Sequence, residues 1–109
     1  MTFAPCPDIN ALCQLAHAAS KEKGFCETPR NRAELIALMH SELSEALEAI
    51  RKPAPDSHLP HLDPVGVELA DCVIRIFDYC GEYGIDLERC ILEKMAYNKG
   101  RPRKHGKGF

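Results

Sequence analysis

Apolar positions in this chain recur every three or four residues in four separate stretches, and none alternates long enough to read as a strand. The pattern predicts an all-α protein. The first helix runs from about Asp8 to Lys23, with Ile9, Leu12, Cys13, Leu15, Ala16 and Ala19 as its apolar stripe, Asp8 as cap and Gly24 as terminator. The second runs from about Arg32 to Lys52. Asn31 with Glu34 makes a capping-box pattern at its start, and Pro53 stops it. A loop of Pro, His, Asp and Ser extends from Pro53 to Asp63. The third helix begins with Asp63 as cap and Pro64 at the first helical position and ends near Gly84, and the fourth spans about Asp86 to Gly100. At 109 residues the chain makes one domain with a modest core, near the size at which association with another copy helps.

The angular distribution of residues around the second and third helices carries the first chemical information. At about 100° per residue, with Leu35 at zero, Met39, Leu43, Ala46 and Ile50 fall between roughly 20° and 80°. Glu42 falls near 340°, inside this apolar arc, while Glu45 sits at its edge and Glu48 points away (roughly 280° and 220°). A carboxylate on a core-facing stripe needs a partner charge, hydrogen bonds or a metal. The third helix is apolar around most of its circumference. Its polar residues, Glu68, Asp71, Arg75, Asp78 and Glu82, are confined to one narrow stripe. Such a helix is buried on most sides, which in a short chain predicts a subunit interface. Its polar stripe is either the one wet side or the wall of a site.

Two acid pairs stand out against this background: Glu42 with Glu45, and Glu68 with Asp71, each at three-residue spacing. On a helix such pairs share a face. Two of them on facing helices would gather four carboxylates, and like charges resist gathering unless a cation offsets them. Mg²⁺ and Ca²⁺, which prefer oxygen donors, are the natural candidates. Two ordinary solvated acidic patches would show the same spacing.

Net charge is −2, but its distribution is uneven. Residues 99–109 hold Lys99, Arg101, Arg103, Lys104 and Lys107 and no acid, which leaves a net −7 on residues 1–98. An acidic body with a basic tail suits a site that holds metal on one side and an anion on the other. The first residues lack a basic start and an apolar run, and no stretch approaches the roughly 20 apolar residues of a membrane span, so a cytoplasmic protein is expected. Cys6, Cys13, Cys26, Cys72, Cys80 and Cys90 are scattered. Cys13, Cys72, Cys80 and Cys90 occupy apolar helix positions and read as buried, reduced thiols. His58, His61 and Asp63 are too few and too poor in cysteine for zinc. His17 and His40 read as packing or surface residues, and Arg75 as a structural partner of Asp71 or Asp78.

Taken in order, these motifs resemble the MazG-type all-α nucleoside triphosphate pyrophosphohydrolases, whose signature is E-x-x-E, a variable gap, then E-x-x-D. Here Glu42-x-x-Glu45 is followed after 22 residues by Glu68-x-x-Asp71. The resemblance extends through Lys23-Gly24-Phe25, Gly84-Ile85-Asp86-Leu87, Glu93-Lys94-Met95-Ala96-Tyr97-Asn98-Lys99, Arg101-Pro102 and His105-Gly106-Lys107. The chain departs from the pattern at Cys26, where relatives often carry an aromatic residue.

The resemblance implies an all-α, four-helix bundle-like domain completed by dimerisation, or by pairing of dimers. It also implies hydrolysis of a nucleoside triphosphate to the monophosphate and pyrophosphate, with metal-activated water attacking the α-phosphorus. Glu42, Glu45, Glu68 and Asp71 would hold Mg²⁺, or Mn²⁺ in its place, and Glu45 or Glu42 would take the proton. Lys94 and Asn98 share one face of the fourth helix. By the same resemblance they bind the substrate, together with Tyr97, Lys99 and Arg101. Two other classes compete with this expectation. One is a carboxylate bundle that binds metal without nucleotide chemistry, although the pairs lack the Glu-x-x-His of di-iron bundles. The other is a regulatory or nucleic-acid-binding module, for which a short basic tail on an acidic body is a poor footprint.

Overall fold

The structure, a computed structural model, describes residues 7–108 and contains four α-helices and no strand among them: α1 (Ile9–Glu22), α2 (Arg32–Arg51), α3 (Pro64–Tyr83) and α4 (Leu87–Lys99). A short 3₁₀ turn, Arg103–Gly106, follows in the basic tail. Each helix begins where a short polar side chain can satisfy the otherwise unpaired N–H groups of the first turn. Asp8 accepts from the Ala11 N–H (2.7 Å), Asn31 from Glu34 (3.0 Å), Asp63 from Val65 and Gly66 (2.8 and 3.1 Å), and Asp86 from Arg89 (3.1 Å). Gly84 ends α3 in the left-handed region, at φ 64°, a conformation that costs glycine little. The helix ends agree with the periodicity to within a residue or two.

α3 lies in the middle and packs against α2 on one side and α1 on the other, while α4 touches α1 lightly. The α1–α3 approach is close because of Gly81. A Cβ there would stand 2.6 Å from the Cys13 carbonyl oxygen and 2.7 Å from His17 Cβ. Cys13 and Cys80 are buried at this crossing, and burial pushes both thiols above the usual range. Cys72 is buried as well. Cys90, also expected inside, is exposed, because α4 packs only lightly on the other helices and buries none of its own residues. Cys6 lies outside the described residues.

The α2 arc divides in two. Met39 and Ala46 are buried against α3 as the wheel requires, but Leu43 and Ile50 on the same arc are 47% and 62% exposed. Leu47, Leu69 and Val73 also remain exposed, as do Leu92 and Met95 on α4. The chain therefore presents several apolar helix faces that it does not itself cover. Among the described residues no helix is long and apolar enough to cross a membrane.

Candidate functional site

The polar stripe of α3 passes between the other two long helices, and its two halves meet different partners. In the first half, Glu68 and Asp71 face Glu42 of α2. One carboxylate oxygen from each of the three lies within 4.8 Å of the others. Glu42, which the wheel put inside the apolar arc, has a side chain only 14% exposed, and Arg75 reaches across from α3 to donate from Nε to Glu42 Oε1 at 3.0 Å. The expected partner of Arg75 was Asp71 or Asp78. It takes Glu42 instead, because the close α2–α3 contact puts that carboxylate within reach of its long side chain. Burial, followed by the charges of Asp71, Glu42 and Glu45, pushes the Glu68 carboxyl up. Burial and the charge of Glu42 do the same to Asp71, with Arg75 opposing.

Glu45 is exposed and lies outside the three-carboxylate group, although its charge is felt at Glu68. A further carboxylate enters from the loop. Asp56 adds its charge to the repulsion at Asp71. It is held by hydrogen bonds from the His58 and Leu59 N–H groups, at 3.0 and 2.9 Å. No periodicity marks a loop residue, so Asp56 carried no sequence signal beyond its charge. His58 bonds only locally, to Ser57 at 3.2 Å.

In the second half of the stripe the acids are matched by cations. Arg30 of the α1–α2 loop donates to both oxygens of Asp78, at 2.7 and 3.2 Å, and also to Glu82. His17 of α1 meets Asp78 at 3.0 Å. Burial alone would raise the Asp78 carboxyl, but hydrogen bonds from Arg30, His17 and Ser20 outweigh it and hold the group below the usual carboxylate range. Asp78 in turn pushes the Arg30 guanidinium up.

A cavity of about 660 Å³ joins the two halves. Glu42, Asp71 and Arg75 line one end, and Ser20, Arg30 and Asp78 the other. Between them the walls are apolar, formed by Ala16 and Ala19 of α1, Leu35 and Leu38 of α2, and Ile74 of α3. Phe25, 67% exposed, and Lys23 stand on its rim. Volume, apolar walls and charged ends suit a small organic ligand with an ionic group.

The α4 candidates lie apart from this cavity. Lys94 Nζ sits 4.8 Å from the Tyr97 ring centroid, and the Arg101 guanidinium lies 5.8 Å from it, so Tyr97 is the centre of a small cation–π group. Asn98 is half-buried, with its Oδ1 shielded and without a hydrogen-bond partner, and Lys99 is exposed. None of these five residues lines the cavity.

No family model, curated protein or solved structure matches this chain.

Proposed function

We propose that this chain is a MazG-type enzyme that hydrolyses a nucleoside triphosphate to the monophosphate and pyrophosphate with the help of Mg²⁺. The observation that carries the reading is the convergence of Glu42, Glu68 and Asp71 to within 4.8 Å beside a 660 Å³ cavity. The donor set fits the ion. It consists of carboxylate oxygens, it is too crowded with negative charge to be comfortable alone, and it is open on the cavity side, where Mg²⁺ keeps waters and phosphate oxygens. Mn²⁺ fits the same donors. When bound, the ion supplies neutralisation of phosphate charge and a more acidic water.

The chain's own residues do the rest. Glu42, Glu68 and Asp71 hold the cation at one end of the cavity. Glu45, exposed one turn along α2, accepts the proton from the water. The apolar walls exclude solvent from the organic part of the nucleotide, which strengthens the charge interactions at the polar end. Lys94, Asn98, Lys99 and Arg101 supply charge and donors to the phosphates, with Tyr97 holding the cations in place. Because α4 lines no part of the cavity in its own chain, this contribution comes from α4 of a second copy. Exposed Leu43, Leu47, Ile50 and Val73 support a homodimer or homotetramer, since apolar faces of this extent favour a partner.

The test is a panel of ribo- and deoxyribonucleoside triphosphates, including modified bases, assayed for both pyrophosphate and orthophosphate in the presence of Mg²⁺. Pyrophosphate from at least one member is expected, and Glu42→Gln should abolish it while leaving the helical content intact. Orthophosphate alone would sink the reading. Cation binding without turnover on any member would leave a carboxylate metal site with no nucleotide chemistry.

A further inference from the structure

We infer that Arg75 is a built-in counter-cation of this site, one that yields Glu42 to an incoming divalent ion and then serves the cavity as a ligand for a phosphate group. The inference rests on the cation reading above and adds a role for a residue that reading does not use.

Three observations carry it. Arg75 bonds to a member of the three-carboxylate group, with Nε 3.0 Å from Glu42 Oε1. Its side chain is 41% exposed, whereas that of Glu42 is 14% exposed, so the arginine is the partner with room to move. It also lines the same cavity end as Glu42 and Asp71, so a small rotation takes its guanidinium from a carboxylate to whatever occupies that cavity. Arg30, by comparison, is 12% exposed and committed to Asp78 and Glu82, and so cannot do the same.

The chemistry is an exchange of partners. A carboxylate that must ligate a divalent ion cannot give the same lone pairs to a guanidinium. Glu42 keeps one cationic partner at all times, Arg75 before the ion arrives and the ion afterwards. The released guanidinium has the planar fork that suits phosphate oxygens, and it lies beside an ion that attracts them. Arg75 therefore lowers affinity for the ion alone and raises affinity for an ion–phosphate pair.

Calorimetric titration of the intact protein tests both halves, with Mn²⁺ alone as the first probe and inorganic tripolyphosphate at saturating Mn²⁺ as the second. Arg75→Met, which keeps length and removes charge, should bind Mn²⁺ about fivefold more tightly than wild type, the scale of one partly exposed ion pair. The same variant should bind tripolyphosphate about tenfold more weakly, as for the loss of one charged hydrogen-bonded contact. Arg75→Lys should restore part of both effects, which a merely structural role would not produce. Helical content by circular dichroism checks that each variant is folded. Unchanged or weaker Mn²⁺ binding by Arg75→Met, or unchanged tripolyphosphate binding, overturns the inference while leaving the cation site in place. No Mn²⁺ binding by wild type, with Glu42→Gln indistinguishable from it, overturns the cation reading and this inference together.

Discussion

The two halves of the α3 polar stripe use the same kind of residue for opposite ends. Asp78 and Glu82 sit in a network that supplies Arg30 and His17, and the Asp78 carboxyl is held low. Glu68 and Asp71, two turns earlier on the same helix, face Glu42 and are held high. Burial opposes charge in both places, so the partners decide the outcome. A matched acid ties α3 to α1 and to the loop before α2, and its ionisation stabilises the fold. In the other half Arg75 answers Glu42 alone, so the repulsion left at Glu68 and Asp71 costs stability until a further cation arrives. Charge mismatch next to a cavity is therefore what separates a candidate site from a structural ion pair.

Mutation should cost most in the matched half. Asp78→Ala removes two of the Arg30 hydrogen bonds, leaving its mostly buried guanidinium to Glu82 alone, and urea denaturation should show a loss of about 3 kcal/mol. A loss no bigger than that of an ordinary surface pair would erase the distinction between the halves.

The same kind of change in the mismatched half should have the reverse sign. Glu68→Gln removes one of the repelling carboxylates, so the metal-free protein should become slightly more stable, by less than about 1 kcal/mol. The rise in melting temperature on adding Mn²⁺ should shrink or vanish in the same variant. Thermal melts with and without Mn²⁺ read both effects, and a metal-free variant clearly weaker than wild type would contradict the reading.

The smallest effect is the pH dependence of the metal-free protein, in which the halves pull in opposite directions. The raised carboxyls of Glu68 and Asp71 bind protons more readily in the folded chain than in the unfolded one. Their contribution to stability therefore falls as pH rises through their folded values. The lowered carboxyl of Asp78 binds protons less readily when folded. Its contribution is present above the ordinary carboxylate value, about pH 4, and is lost as pH falls through its folded value. These opposed contributions together should place the peak in melting temperature in the ordinary carboxylate range, about pH 4 to 5. Asp78→Asn should flatten the acid limb and Glu68→Gln the limb toward neutral pH.

Helix boundaries were legible in the chain because capping is local. Asp8, Asn31, Asp63 and Asp86 each act on a backbone group two or three residues away. The odd position of Glu42 was legible for a similar reason, since a wheel reports direction around one axis. Whether Glu45 joins it was not, because that depends on how far the facing helix is and how it is turned. Nor could the wheel say that Leu43 and Ile50 stand open while Met39 and Ala46 on the same arc are covered, because it gives an angle about one helix and not which parts of that face a neighbour reaches.

By itself, then, the sequence determined four helices, their ends, and a polar stripe on a largely apolar α3, because those follow from interactions within a few residues. Only the tertiary structure decided which charges on that stripe are answered. Arg30 reaches Asp78 across 48 positions, and Arg75 reaches Glu42 across 33. Asp56 comes close enough to be felt at Asp71 only because the loop after α2 folds back. Electrostatic pairing depends on distance in space, and helical periodicity carries no information about the register of one helix against the next.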